Sequence, residues 1–145
     1  MTSNLCDIYT DGSYCPERNL GGWAAHVRQS GQNKLLGEYV TYVTDNNAME
    51  MIAVIKAMDY IESLFLKDTI IHLIVDSQYV IDTLLATPLT IPDTCQIIIR
   101  KVKAHSGPTK RSDNINYLVD RESRRHMRAA RKLYDEATLD NPFRE

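Results

Sequence analysis

A chain of 145 residues, 43% hydrophobic and 25% charged, is long enough to bury its own core and reads as a single domain over residues 1–145. Its three cysteines, Cys6, Cys15 and Cys95, are odd in number and unpaired in spacing, so neither a disulfide framework nor a zinc knuckle is indicated. No charged-plus-apolar leader pattern and no apolar run of membrane-spanning length is visible, which points to a soluble, cytoplasmic protein with no membrane partner.

The net charge of −2 hides a polarity. Residues 1–99 carry five basic and twelve acidic side chains, whereas residues 100–132 carry eleven basic and three acidic. A basic segment beside an acidic one suits phosphates held near bound cations, although a solvated basic helix would look the same.

In chain order, residues 7–11 read as a first strand closed by the turn signal Asp11-Gly12-Ser13, and residues 14–20, with Pro16, as a loop. Residues 21–28 form a second strand, Ser30-Gly31-Gln32-Asn33 a hairpin turn, and residues 35–43 a third strand, all antiparallel. Thr44-Asp45-Asn46-Asn47 is a dense helix-start signal. The helix after it carries Ala48, Met51, Ile52, Ile55, Met58 and Phe65 on one stripe, read as core, with Glu50 in the first turn where the helix dipole favours a carboxylate. The apolar run over residues 70–75 reads as a strand buried on both faces. It stops at Asp76, and Ser77 caps a helix running to about Ala86. A proline-punctuated connection leads to a fifth strand over residues 96–103, and Ala104-His105-Ser106-Gly107-Pro108 breaks it. A final helix is expected from near Asp113 to near Ala137, with Ile115, Leu118, Val119, Met127, Ala130 and Leu133 as its apolar face. Asn116 and Asp120, four apart, share a face near its start.

The order β-β-β-α-β-α-β-α predicts an α/β fold: a mixed five-stranded sheet flanked by helices, with strands one, four and five parallel through right-handed crossovers. Asp11 and Asp76 then end neighbouring strands, where open α/β sheets bind ligands, and Glu50 and Asp120 can point at the same spot. Each acid alone has a plainer explanation, a helix cap or a helix-dipole carboxylate. Four together, with no lysine or arginine between them, would raise one another's pKa, and a divalent cation is the usual relief. All-oxygen ligation selects Mg²⁺ or Mn²⁺, and two such ions about 3.5–4 Å apart suit in-line phosphoryl displacement.

Five segments carry a resemblance: Thr10-Asp11-Gly12-Ser13, Asn46-Asn47-Ala48-Met49-Glu50, Asp76-Ser77-Gln78-Tyr79-Val80, Lys103-Ala104-His105-Ser106-Gly107, and Asn116 with Asp120. In this order and spacing they resemble ribonuclease H of the type 1 family over about residues 5–135. The resemblance implies a ribonuclease H-like sheet of strand order 3-2-1-4-5. It implies a metal-dependent endoribonuclease that cuts the RNA strand of RNA–DNA hybrids, leaving 5′-phosphate and 3′-hydroxyl ends. By resemblance, Asp11, Glu50, Asp76 and Asp120 bind the metal (Mg²⁺ or Mn²⁺, two ions with substrate bound), and His105 moves protons or helps release product. Gly12, Ser13, Asn46, Asn47, Gln78 and Asn116 would contact the hybrid, whose 2′-hydroxyls distinguish RNA from DNA. The chain would act as a monomer, with a replication or reverse-transcription partner possible.

The sequence departs from relatives in two places. The basic helix-loop insertion that relatives often carry between the fourth and fifth strands is missing. Asp45 stands where they often carry a neutral hydroxyl residue, and an acid there faces phosphates poorly, which would weaken hybrid binding. Other nucleases of the same fold that act on DNA, such as resolvases or integrase-like enzymes, are the alternative, as is a hybrid-binding module dependent on a partner.

Overall fold

The computed structural model describes residues 4–102 and 111–139. Five strands and three helices follow in chain order: β1 (Asn4–Cys15), β2 (Leu20–Gln29), β3 (Gln32–Thr41), α1 (Asn46–Ser63), β4 (Thr69–Val75), α2 (Gln78–Ala86), β5 (Gln96–Lys101) and α3 (Arg111–Leu139). The sheet order is β3-β2-β1-β4-β5, with β1 antiparallel to β2 and parallel to β4, and β4 parallel to β5. This is the expected architecture and strand order. Among the described residues no helix is long and apolar enough to cross a membrane.

Side chains alternate between the two faces of β1. Cys6 and Ile8 join the larger core with Ala53, Val54, Val80 and Leu84 of α1 and α2, while Tyr9 joins Ala24, Ile74 and Val119 of α3 on the other face. The β2–β3 hairpin closes through Ser30 and Gly31, both at positive φ (53° and 76°), between the paired Gln29 and Gln32. Two positive-φ residues match the right-handed twist of the flanking strands, so the turn is tighter than the four residues expected. At Gly22 the backbone of α3 lies so close that any Cβ would overlap the Ser123 carbonyl.

Three expectations are corrected. The first strand does not close at Asp11. Its pairing with β4 ends at Tyr9↔Ile74, but pairing with β2 continues through Asp11↔Ala24 and Gly12↔Trp23 to Cys15↔Leu20. An Asp-Gly-Ser turn signal yields here to a ladder of antiparallel hydrogen bonds, and Tyr14 and Cys15 belong to the strand.

The expected stripe is the core face of α1 only in part: Met58 is buried and Ala48, Met51 and Ile52 pack against the core, but Ile55 and Phe65 do not. Met49, Glu50, Ala53, Val54, Ala57, Met58 and Ile61 are buried, whereas Ile55 is 47% and Phe65 83% exposed. The helix is apolar nearly all round, so periodicity does not select a face; the small Ala53 and Ala57 let it approach the sheet. Glu50 therefore lies in the second turn, beyond the first-turn amides.

Leu133 is likewise 54% exposed, while Val119 and Ala130 hold α3 to the sheet. β5 ends at Lys101, two residues before the expected boundary.

Candidate functional site

β1 outlasts β4, so Asp11 stands just past the last β1–β4 pair, and Asp76 follows β4 at the same level. Ser77 then turns the chain into α2, its Oγ accepting from Val80 N–H at 3.3 Å. Glu50 arrives from α1, and Gly12 is what lets it arrive. A Cβ at Gly12 would lie 2.6 Å from the Met49 carbonyl carbon and 2.8 Å from the Glu50 nitrogen. The glycine is required for helix–strand contact, and it lies within the strand, not in a turn.

Oxygens of Asp11, Glu50 and Asp76 lie within 4.8 Å of one another. Asp11 and Glu50 are only 3% and 6% exposed. Asp11 Oδ1 accepts from the Gly12 N–H at 2.9 Å, but its buried Oδ2 meets no hydrogen-bond donor among the described residues. Burial, then the charges of Glu50 and Asp76, drive the Asp11 carboxyl far above the usual carboxylate range, with side-chain contacts to Glu50 and Asp120 adding to the shift. Burial and the Asp76 charge push Glu50 up to about 7, opposed by its contacts with Asp11 and the Gly12 amide. Three acids crowded together, with one buried oxygen of Asp11 lacking a donor among the described residues, make a nest that a hard cation with oxygen ligands would relieve.

The cleft around them measures about 520 Å³; Asp11, Gly12, Ser13, Tyr14, Asn46 and Glu50 line it together with Asp76, Ser77, Asp120, Arg124, Met127 and Arg128. All four predicted acids share it, along with Gly12, Ser13 and Asn46 of the predicted hybrid contacts. Asn47, Gln78 and Asn116 are not on its wall. Asn47 is exposed in the first turn of α1, Gln78 Nε2 donates to Asp82 Oδ1 at 2.9 Å, and Asn116 is buried one turn before Asp120. His105, with Lys103, Ser106 and Gly107, lies outside the described residues.

One sequence inference about charge needs correction. The acids do not converge free of basic residues: Arg124 lines the cleft, and its Nε donates to Asp120 Oδ1 at 3.2 Å. The i, i+4 spacing from Asp120 to Arg124 to Arg128 is the signal that could have found it. Asp45 is exposed at the start of α1. Its side chain accepts from Ala48 N–H at 2.7 Å and caps α1. Tyr14, taken from sequence as part of a loop, is a wall residue whose hydroxyl bridges Asn19 Oδ1 and the Thr44 carbonyl, both at 3.1 Å.

Residues 4–91 match the family model described as RNase H. Ribonuclease H of Oleidesulfovibrio alaskensis is 40% identical over 74 residues, 51% of this chain and 45% of the relative. Ribonuclease H of Ruthia magnifica is 40% identical over 78 residues, 54% of this chain and 51% of the relative. The matched segment thus spans about half the length of these curated relatives. Among solved structures, the N-terminal RNase H domain of a Mycobacterium tuberculosis protein, fused to maltose binding protein, aligns with a TM-score of 0.68 at 18% identity over 91% of this chain and 99% of that one. A ribonuclease H1 termed LC11, in complex with an RNA/DNA hybrid, aligns with a TM-score of 0.64 at 15% identity over 86% of this chain and 98% of that one. At these identities the structural likeness shows the fold.

Proposed function

The chain belongs to the ribonuclease H family, and on that premise we propose that it is a metal-dependent endoribonuclease hydrolysing the RNA strand of RNA–DNA hybrids. The observation that carries the reading is the trio Asp11, Glu50 and Asp76, buried or half-buried with oxygens inside 4.8 Å. Its all-oxygen donor set and the donorless Asp11 Oδ2 fit a hard divalent cation, Mg²⁺ or Mn²⁺. Those three residues would hold it, with Asp120 beside them. Bound there, one or two such ions would lower the pKa of a water and neutralise charge on the leaving oxygen.

In the reaction, a water oxygen bonds to phosphorus while the bond from phosphorus to the 3′-oxygen breaks. The 3′-oxygen takes up a proton, leaving 3′-hydroxyl and 5′-phosphate ends. Ser13 and Asn46, on the cleft wall, offer a hydroxyl and an amide to the 2′-hydroxyls of the strand being cut. Arg128, also lining the cleft, supplies positive charge for the backbone phosphates. His105 is assigned proton movement or product release by its motif. The LC11 ribonuclease H1, solved with an RNA/DNA hybrid, supports the substrate class.

The test is a cleavage panel of hybrid, duplex DNA and duplex RNA with Mg²⁺, Mn²⁺ or chelator. The expected result is cutting of the hybrid's RNA strand with either metal and none with chelator. Cutting of duplex DNA with the hybrid spared would overturn the reading in favour of a resolvase or integrase-like nuclease.

A further inference from the structure

The cleft that gathers the acids also holds a cation of its own. Asp120 and Arg124 stand one turn apart on α3, and Arg124 Nε donates to Asp120 Oδ1 at 3.2 Å. Both line the cleft with the trio. Yet Asp120 is not among the carboxylates whose oxygens lie within 4.8 Å of one another, although its side chain reaches Asp11. The fourth acid is thus shared between the nest and a guanidinium.

A guanidinium in this position acts twice on an arriving divalent cation. It occupies an oxygen of Asp120 that the cation would otherwise take, and it repels the cation through space. The Arg124 side chain is 43% exposed, so the pair is screened by water and can be parted; a surface i, i+4 pair tunes an equilibrium without locking it.

We propose that Arg124 is a positioning residue that, through Asp120, sets the affinity of the acidic cleft for divalent cations. It keeps Asp120 in an ion pair until a cation displaces it, so cation binding that draws on Asp120 is weaker than the same four acids without the guanidinium would allow. This rests on the trio being a cation site and adds the device that controls its loading.

Arg125 provides the internal control. It carries the same charge one residue along, pairs with Glu122 at 3.0 Å, and does not line the cleft.

The test is calorimetric titration of hybrid-free protein with Mn²⁺ at fixed pH and ionic strength. Arg124→Gln is expected to tighten Mn²⁺ binding about three- to tenfold, the size of one nearby charge acting on a divalent ion through water. Arg124→Lys, which keeps the charge, should stay close to wild type, and Arg125→Gln should leave the isotherm unchanged. In an Asp120→Asn background the effect of Arg124→Gln should shrink, because the carboxylate through which it acts is gone. An Arg124→Gln isotherm superimposable on wild type overturns the proposal. So does an Arg125→Gln shift of equal size, which would make the effect one of net helix charge, or an undiminished Arg124→Gln effect in the Asp120→Asn background. If wild type binds no Mn²⁺ at all, the cation reading of the trio falls too; if it binds normally and Arg124→Gln fails to tighten it, this inference alone falls.

Discussion

At the scale of single residues the site is a place where folding and chemistry want opposite things. Asp11 and Glu50 are held out of water beside Asp76, and their folded pKa values are raised chiefly by burial. An acid whose folded pKa exceeds its unfolded value favours the folded state when protonated. Its contribution is therefore complete below the unfolded value near pH 4 and is lost as pH rises through the folded one. The cation-free protein should lose stability as pH climbs through neutrality, and Asp11→Asn should lose less. At pH 8 in chelator, Asp11→Asn is expected to melt higher than wild type, by about 0.5–2 kcal/mol of stability. Comparing the two proteins cancels His26, whose pKa burial lowers and whose effect on stability runs the other way in acid. Thermal melts across pH 5–8 decide this, and an Asp11→Asn variant no more stable than wild type at pH 8 would mean the acids do not strain the fold. All four acids of the cleft were legible from residue type and motif. The ion pair of Asp120 was not, because attention to acids alone passes over a cation four residues further along the same helix.

At the scale of elements, the sequence names every strand and helix but misplaces where two of them act. β1 runs four residues past the turn signal because β2 stays beside it after β4 has ended. Hydrogen bonds to a neighbouring strand outweigh a local Asp-Gly-Ser preference, and no single-strand pattern carries that information. For α1, an apolar composition on all sides leaves the buried face undecided, and large side chains draw the eye to Ile55 when the sheet accepts Ala53 and Ala57. The consequence is measurable. Ala57→Leu, at a fully buried position, should cost about 1–3 kcal/mol through overpacking. Ile55→Ser, on the exposed side, should stay within about 0.5 kcal/mol. Equal losses in urea melts for the two variants would reverse the assignment of the buried face.

At the scale of the whole molecule, the charge polarity read along the sequence becomes a basic helix laid across an acidic sheet end. α3 delivers Asp120, Arg124 and Arg128 to the cleft, so one element joins the acid cluster to positive charge. Further along, Arg131 pairs with Glu17 at 3.4 Å, and Arg18 with Asp135 at 2.9 Å, tying the β1–β2 turn to the end of α3. Those cations are structural ties away from the cleft. Arg128→Gln should therefore lower the salt slope of hybrid binding by about one unit, while Arg131→Gln leaves it near wild type. Fluorescence-anisotropy titrations over a range of salt report both slopes, and equal slopes for Arg128→Gln and wild type would move the hybrid off this part of the cleft. The polarity was visible in the sequence. Which of its arginines face the cleft depends on the rotation of α3 about its axis, which charge counting does not contain.

The central claim is that Asp11, Glu50 and Asp76 form one cation-binding nest used for hydrolysis, and one measurement bears on it most directly: the rate of RNA-strand cleavage in a labelled hybrid by wild type and by Asp76→Asn, with Mg²⁺ and with chelator. The account predicts cutting by wild type only with metal, and a loss of at least about a hundredfold in Asp76→Asn with its fold intact by circular dichroism. A folded Asp76→Asn that cuts the hybrid at the wild-type rate, or a wild type indifferent to chelator, would contradict it.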